Sequence, residues 1–289
     1  MTKGLSIVIP AHDEEAGLAM VVRGIQAALQ ESAQPFEIIV VDDGSNDRTA
    51  EIAACLDVTL IRHTERRGYG AALKTGIRAA VGEWILICDA DGTYPPDAIP
   101  ALLALAPTND MVVGARTGPI VDTPLLRRIA KGILRRLASY LSESVIPDLN
   151  SGLRVFRKDA VTPYFPILPS GFSFTTTITL ALLCNGGSVA FVPINYHRRR
   201  GRSKIQPVRE TLNFIILILR TITYFNPLKV FAPISVALGL LFLVSLGYDL
   251  FVLENVTEKS LILLIGSLQL LGIGVIGDVV TKRWFSSGR

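Results

Sequence analysis

Two long apolar runs near the C-terminus limit what this chain can be more than any other feature. From Phe231 to Leu253 the only charge is Asp249, and from Ser260 to Val280 the only charge is Asp278. Each run is long enough to cross a hydrocarbon layer of roughly 30 Å as a helix rising about 1.5 Å per residue. They explain why a chain of 289 residues has only 19% charged residues and a mean hydropathy of +0.43. A wholly soluble enzyme is thereby excluded. A transporter of many spans is excluded as well, because no uninterrupted run of that length precedes Phe231. The link Glu254–Lys259 is short enough to force a hairpin. Lys229, Lys282 and Arg283 outweigh Lys259, so the positive-inside rule places both ends of the hairpin in the cytoplasm. The opening residues lack a signal-peptide layout, which leaves the large N-terminal part on the same side. Cys55, Cys88 and Cys184 are odd in number and set among apolar residues, so they are expected to be reduced core thiols.

Before residue 120 short apolar runs alternate with helical stretches. The runs 5–10, 36–43, 58–63, 83–91 and 110–116 are β-branched, nearly continuous and polar at their ends. Helical patterns over 16–32, 48–56, 70–80 and 97–106 separate them. This alternation predicts an α/β fold with a mostly parallel sheet and helices on both faces. Ligands of such sheets lie beyond the carboxyl ends of the strands. That rule singles out His12-Asp13-Glu14, Asp42-Asp43, Asp89-Ala90-Asp91 and Arg116.

Residues 123–143 place Leu and Ile on one helical face and Arg127, Arg128, Lys131, Arg135 and Arg136 on the other. A basic amphipathic helix suits a surface of anionic lipid, although an ordinary solvated helix would show the same pattern. Residues 208–225 are too short and too charged to cross and read as a second interfacial helix leading into the spans. The expected domains are 1–205 (catalytic), 206–228 (interfacial linker), 229–281 (two spans) and 282–289 (cytoplasmic tail).

Two carboxylates one residue apart at a strand end, Asp89 and Asp91, can converge on a hard divalent cation and a diphosphate. The second acidic strand end, Asp42-Asp43-Gly44-Ser45, reinforces the reading. The stretch Gly68-Tyr69-Gly70-Ala71-Ala72-Leu73 lacks the third glycine of a dinucleotide fingerprint, and no phosphate-binding G-x-x-x-x-G-K-[ST] exists. Dehydrogenase and ATPase readings are therefore disfavoured. The basic clusters lack interleaved aromatic residues, so no nucleic-acid partner is expected. His63 and His197 have no partners at metal spacing and read as structural.

The segments SIVIPAHDEE (6–15), VVDDGSNDRT (40–49), RRGYGAALKTG (66–76), DADGTYPPD (89–97), DLNSGLRVFRKD (148–159) and RRRGRSK (198–204) resemble family-2 inverting GT-A glycosyltransferases. Within them the chain is most similar to dolichyl- or polyprenyl-phosphate mannosyl- and glucosyltransferases. The processive relatives' Q-x-x-R-W is absent, so one sugar per turnover is implied. The resemblance implies a GT-A, Rossmann-like fold with a two-helix transmembrane hairpin. It implies that Pro10, His12, Glu14, Asp42 and Asp43 hold the nucleoside of a nucleotide sugar such as GDP-mannose, UDP-glucose or UDP-GlcNAc. Asp89, Ala90 and Asp91 would hold the diphosphate with Mg²⁺ or Mn²⁺, and Thr93 stands where relatives carry a Gln ligand. Arg198, Ser203 and Lys204 would close over the diphosphate. Arg116, Arg127, Arg128 and Lys131 would grip a polyprenyl or dolichyl phosphate, with membrane lipids alongside, and Asp89, Asp91, Arg116 and Arg198 form the catalytic set. Asp148, Asn150, Ser151, Gly152 and Arg154 match a D-x-x-S-G-[FL]-R segment that either lines the sugar pocket or supports the sheet as a capped turn. Besides Thr93, two further departures from the family stand out, Ala130 in place of a Ser and Thr177 in place of an acidic residue. The second is tolerable because a phosphate acceptor already carries a charge of about −1.5 to −2 and needs no protein base. A different lipid acceptor, or a non-catalytic scaffold that binds nucleotide sugar, stays open, and the spans are a candidate surface for self-association.

Overall fold

The computed structural model describes residues 4–30, 35–117, 143–171, 173–195 and 223–286, with isolated positions 136, 139, 140, 216 and 220. It divides into two units, Met1–Ile215 and Ile216–Arg289. The first is built on a seven-stranded sheet. Its strands are β1 (Leu5–Ala11), β2 (Phe36–Asp42), β3 (Thr59–Arg62), β4 (Trp84–Ile87), β5 (Met111–Ala115), β6 (Arg154–Arg157) and β7 (Val189–Pro193), in the order β3-β2-β1-β4-β6-β5-β7. All neighbours are parallel except that β6 runs antiparallel to both β4 and β5.

The helices of this unit are α1 (Leu18–Leu29), α2 (Thr49–Ala54), α3 (Tyr69–Ala79), α4 (Ile99–Leu105) and α5 (Phe174–Cys184). Every residue of β1 is buried, because helices cover both of its faces. Ile7 and Ile9 join Leu18, Val22 and Ile25 of α1 and Leu102 of α4 in one core. Val8, on the opposite face, meets α3 at Gly76, where an added Cβ would lie 2.4 Å from a Val8 methyl and 3.1 Å from Val41. The helix approaches the sheet that closely only because a glycine stands there. Each fully buried Ile or Leu of such a core contributes about 1.5–3 kcal/mol.

The five strands read from the sequence are present; β1 runs one residue further, to Ala11, and the other four are shortened at their ends. β4 stops at Ile87, so Asp89 and Asp91 belong to the loop that follows. β6 and β7 lie outside that reading. Cys88 is buried and Cys184 half-buried, but Cys55 is exposed, since it caps the C-terminus of the short α2 at the surface and not in the core.

The second unit is a helical hairpin, α6 (Pro227–Tyr248) with a π-helical continuation over Asp249–Leu253, and α7 (Glu258–Ser286). The stretches Pro227–Leu253 and Glu258–Thr281 are long and apolar enough to cross a membrane, and most of their side chains are not covered by the protein itself. Along the seam Ser235 Oγ donates to Ser267 O at 2.9 Å and Ser267 Oγ returns the bond to Ser235 O at 2.9 Å. Gly274 and Gly277 let α7 close on Leu228, Phe231 and Pro227. At the turn, Asp249 Oδ2 accepts from Thr257 N, Thr257 Oγ1 and Ser260 Oγ, capping the start of α7.

Candidate functional site

The carboxyl ends of β1, β2 and β4 lie side by side, with Ala11 opposite Asp42 and Val8 opposite Ile87. Pro10 follows the last β1–β4 pair and has no N–H with which to extend that ladder, so the strands separate there. The loops after β1 and β2 are laced together. Asp13 N donates to Ser45 Oγ at 3.0 Å, Glu14 N to Thr49 Oγ1 at 2.9 Å and Glu15 N to Asp47 Oδ2 at 3.1 Å. In return Asn46 N donates to Asp13 Oδ1 at 2.9 Å and Arg48 N to Glu15 Oε2 at 3.2 Å. His12 Nδ1 lies 3.0 Å from Asp43 O. Thus H-D-E-E and S-N-D-R-T, separated by about thirty residues in the chain, are each other's hydrogen-bond partners.

Asp42 is buried and caps the turn below, accepting from Ser45 N at 3.0 Å with Arg62 Nε 3.1 Å from its other oxygen. Asp43 accepts from His63 Nδ1 at 2.7 Å, Arg67 N at 2.9 Å and Gly68 N at 2.7 Å. Burial alone would raise its carboxyl, yet His63 and the two amides hold it below the usual carboxylate range. His63 also reaches Thr75 Oγ1 at 3.0 Å, the structural role expected of it.

Beyond β4, the Asp89-Ala90-Asp91 loop is held from several sides. Tyr69 OH donates to Asp89 Oδ1 at 2.8 Å, and Thr93 Oγ1 donates to Asp91 Oδ1 at 2.6 Å, seconded by Thr93 N. Thr93 is fully buried behind Asp91, which suits it to orient that carboxylate. Gly92 has φ 71°, a conformation that favours glycine. The α-carbon of Gly152 presses on the Asp89 carboxylate, and a Cβ there would lie 2.4–2.6 Å from its atoms. Burial first and the Asp91 charge second push the Asp89 carboxyl up to about 6, against the pull of Tyr69, Arg116 and Arg154.

The loop before antiparallel β6 brings residues 148–153 to the same end of the sheet. Arg116, just after β5, makes a forked pair with Asp148, Nε to Oδ2 at 2.6 Å and Nη2 to Oδ1 at 2.9 Å. Burial would raise Asp148, but Arg116 and neighbouring amides hold it low. Gly152 N donates to Tyr94 OH at 2.6 Å. Arg154, opposite Ile87 of β4 and Val113 of β5, is fully buried. It donates to Ser151 O, to Thr175 O at 2.9 Å and to Thr179 Oγ1 at 2.8 Å, and burial lowers its pKa to about 10. Its side chain therefore ties the 148–154 loop to α5 as a support for the sheet. Thr177 is also buried on α5. Among the described residues no three His, Cys, Asp or Glu side chains gather to hold a metal ion. Asp89 and Asp91 supply two carboxylates at one place, and a diphosphate would supply the remaining oxygens that a hard cation needs.

The family model described as "Glycosyl transferase family 2" matches residues 6–165, which include all of these loops. The chain belongs to glycosyl transferase family 2. A second model, "GtrB C-terminal hairpin", matches residues 226–282. The undecaprenyl-phosphate 4-deoxy-4-formamido-L-arabinose transferase of Pectobacterium atrosepticum is 29% identical, across 97% of this chain and 89% of that one. A dolichyl-phosphate hexose transferase of Haloferax volcanii is 31% identical, across 70% of this chain and 87% of that one. The low-salt glycan biosynthesis hexosyltransferase of the same organism is 30% identical, across 70% of this chain, and the chain spans 50% of its length. Glucosyl-3-phosphoglycerate synthase from Mycobacterium tuberculosis, solved with Mn²⁺, UDP-glucose and phosphoglyceric acid, shares the fold at a TM-score of 0.61. The two are 21% identical, over 76% of this chain and 80% of that one.

Of the residues selected from the sequence of this family-2 glycosyltransferase, the structure gathers Pro10, His12, Glu14, Asp42, Asp43, Asp89, Ala90, Asp91, Thr93, Arg116, Asp148, Ser151, Gly152 and Arg154 at one end of the sheet. Arg127, Arg128, Lys131, His197, Arg198, Ser203, Lys204, most of 123–143 and most of 208–225 lie outside the described residues. Sequence reasoning missed Tyr69 and Tyr94 as site residues. Both stand in the quoted motifs R-R-G-Y-G and D-G-T-Y-P-P, but the first reads as a failed dinucleotide fingerprint and in the second the two carboxylates draw the attention.

Proposed function

We propose that this glycosyltransferase moves one sugar from a nucleoside diphosphate sugar to a polyprenyl phosphate, with inversion, at the cytoplasmic face of a membrane. The observation that carries the reading is the braced pair Asp89 and Asp91, set at the strand ends within reach of the Arg116 charge, in a chain that also bears an apolar hairpin. The names of the relatives, which act on undecaprenyl and dolichyl phosphates, support the acceptor. Asp89 and Asp91 would hold a divalent cation, Mg²⁺ or Mn²⁺, against the donor's diphosphate, with Thr93 and Tyr69 fixing the two carboxylates. When bound, that cation offsets the negative charge that builds on the departing nucleoside diphosphate.

His12, Glu14 and the Asp42-Asp43 turn, with Pro10 and Ala90 shaping the cleft, receive the nucleoside. Arg116, held in place by Asp148, meets the acceptor phosphate, with Arg127, Arg128 and Lys131 beside it. Arg198, Ser203 and Lys204 cover the diphosphate. Ser151 and Gly152 stand next to the sugar, and Arg154 holds their loop. An oxygen of the acceptor phosphate bonds to the anomeric carbon as the bond from that carbon to the nucleoside diphosphate breaks on the opposite side. The phosphate is already ionised at neutral pH, so the buried Thr177 need not act as a base.

The test is a donor panel. Full-length protein in lipid nanodiscs receives labelled GDP-mannose, UDP-glucose or UDP-GlcNAc with a polyprenyl phosphate and Mg²⁺. One donor is expected to yield an organic-extractable labelled lipid, and no labelled lipid from any donor would overturn the reading.

A further inference from the structure

The R-R-G-Y-G segment, residues 66–70, bridges the two acidic sites. Its Arg67 and Gly68 amides donate to Asp43 at 2.9 and 2.7 Å, and the next residue, Tyr69, donates its hydroxyl to Asp89 Oδ1 at 2.8 Å. Three consecutive residues thus grip two carboxylates that are far apart in the chain and that belong to the nucleoside end and the diphosphate end of the cleft. The segment itself has little room to move. Gly68 has φ 103°, a Cβ there would lie 2.6 Å from Ser170 O, and one on Gly70 would lie 2.3 Å from Pro169 O. Ala71 N donates to Ser170 O at 3.0 Å, and His63 links Asp43 to Thr75 of α3.

The two carboxylates are held differently. Asp43 accepts three hydrogen bonds, which use both of its oxygens. Among the described residues Asp89 accepts one, from Tyr69 on Oδ1, and a Cβ on Gly152 would lie 2.4–2.6 Å from the carboxylate atoms. Rotation of a carboxylate about its last torsion is soft, so a single donor decides how its oxygens are presented.

We infer that Tyr69 is a positioning residue that orients Asp89 toward the cation and diphosphate of the donor, and that segment 66–70 sets the spacing between the two ends of the donor site. The inference rests on the assignment of Asp89 and Asp91 to the cation, and its test separates the two. Binding of UDP and of GDP to the full-length protein is measured calorimetrically with and without Mn²⁺, and Mn²⁺ binding is followed by electron paramagnetic resonance. Tyr69→Phe is expected to lower the Mn²⁺-dependent gain in nucleotide affinity about tenfold, the low end of the effect of losing a partner that orients a metal ligand. Metal-free nucleotide binding and the melting temperature should stay at the wild-type values, and Tyr69→Phe should add no further loss in an Asp89→Asn background. Asp91→Asn, run alongside, should abolish the Mn²⁺ gain. A wild-type Mn²⁺ gain in Tyr69→Phe, with Asp91→Asn impaired, would overturn the role of Tyr69 alone. An unimpaired Asp91→Asn would overturn the cation assignment beneath it. Equal losses of metal-free binding and thermal stability in Tyr69→Phe would reduce Tyr69 to scaffolding and also overturn the inference.

Discussion

The loops at the strand ends and the C-terminal hairpin both depend on polar contacts, but they use them in opposite ways. At the strand ends polar groups are dense: backbone N–H groups of residues 13–15, 46 and 48 bond to side chains across the gap, and Asp43 is ringed by donors. In the hairpin polar groups are sparse, concentrated in the Ser235–Ser267 exchange and the Asp249 cluster, and the surrounding faces are apolar and uncovered. The first pattern fixes loop atoms that stay in contact with water. The second pairs two helices with few contacts, since in an apolar layer each unmet polar group is costly. Rigidity at the sheet comes from many bonds, and at the hairpin from a few well-placed ones plus small residues.

Substitutions can break either half of that contrast. Asp91→Ala should have the largest effect, lowering kcat/KM for sugar transfer more than about a hundredfold while circular dichroism stays native. Gly152→Ala should follow, because its methyl group cannot coexist with the Asp89 carboxylate where it now stands. A displacement of about 1 Å is expected to cost ten- to a hundredfold in kcat. Arg154→Leu should act through stability, since Ser151 O, Thr175 O and Thr179 lose their donor. A loss of about 3 kcal/mol is expected from denaturant melts of the full chain.

Asp148 provides a smaller effect with a defined sign. Its folded carboxyl lies below the unfolded value, so the stability it adds is complete above roughly pH 4 and falls away as pH drops through the folded value. Asp148→Asn should flatten that acid limb in thermal melts at graded pH. The smallest effect belongs to the hairpin. Asp249→Ala frees the start of α7 and should lower the melting temperature slightly in detergent, with kcat for a water-soluble short-chain acceptor unchanged.

The same contrast explains what could be read from the sequence. Strands β1, β2, β4 and β5 are continuous apolar runs buried on both faces, and the spans are longer still, so periodicity and length reveal them. Strand β6 hides because R-V-F-R opens with a charged residue that is wholly buried, and nothing in a pattern of polarity announces a buried arginine satisfied by carbonyls. β7 is a partly exposed edge strand with little apolar contrast. In the site the acidic residues were legible because two carboxylates at a strand end are chemically conspicuous. The contacts that brace them were not. The Tyr69 hydroxyl and the bare α-carbon of Gly152 act on Asp89 from segments 20 or more positions away, and only the fold brings them there.

The central claim is that the sugar is joined to the lipid phosphate itself and the nucleoside diphosphate departs whole. Phosphorus NMR of a reaction run to completion with the preferred donor and a polyprenyl phosphate tests this directly. The lipid phosphorus should move from a monoester to a diester signal, with one nucleoside diphosphate released for each diester formed. A lipid phosphorus that stays a monoester, or release of a nucleoside monophosphate, would contradict the account.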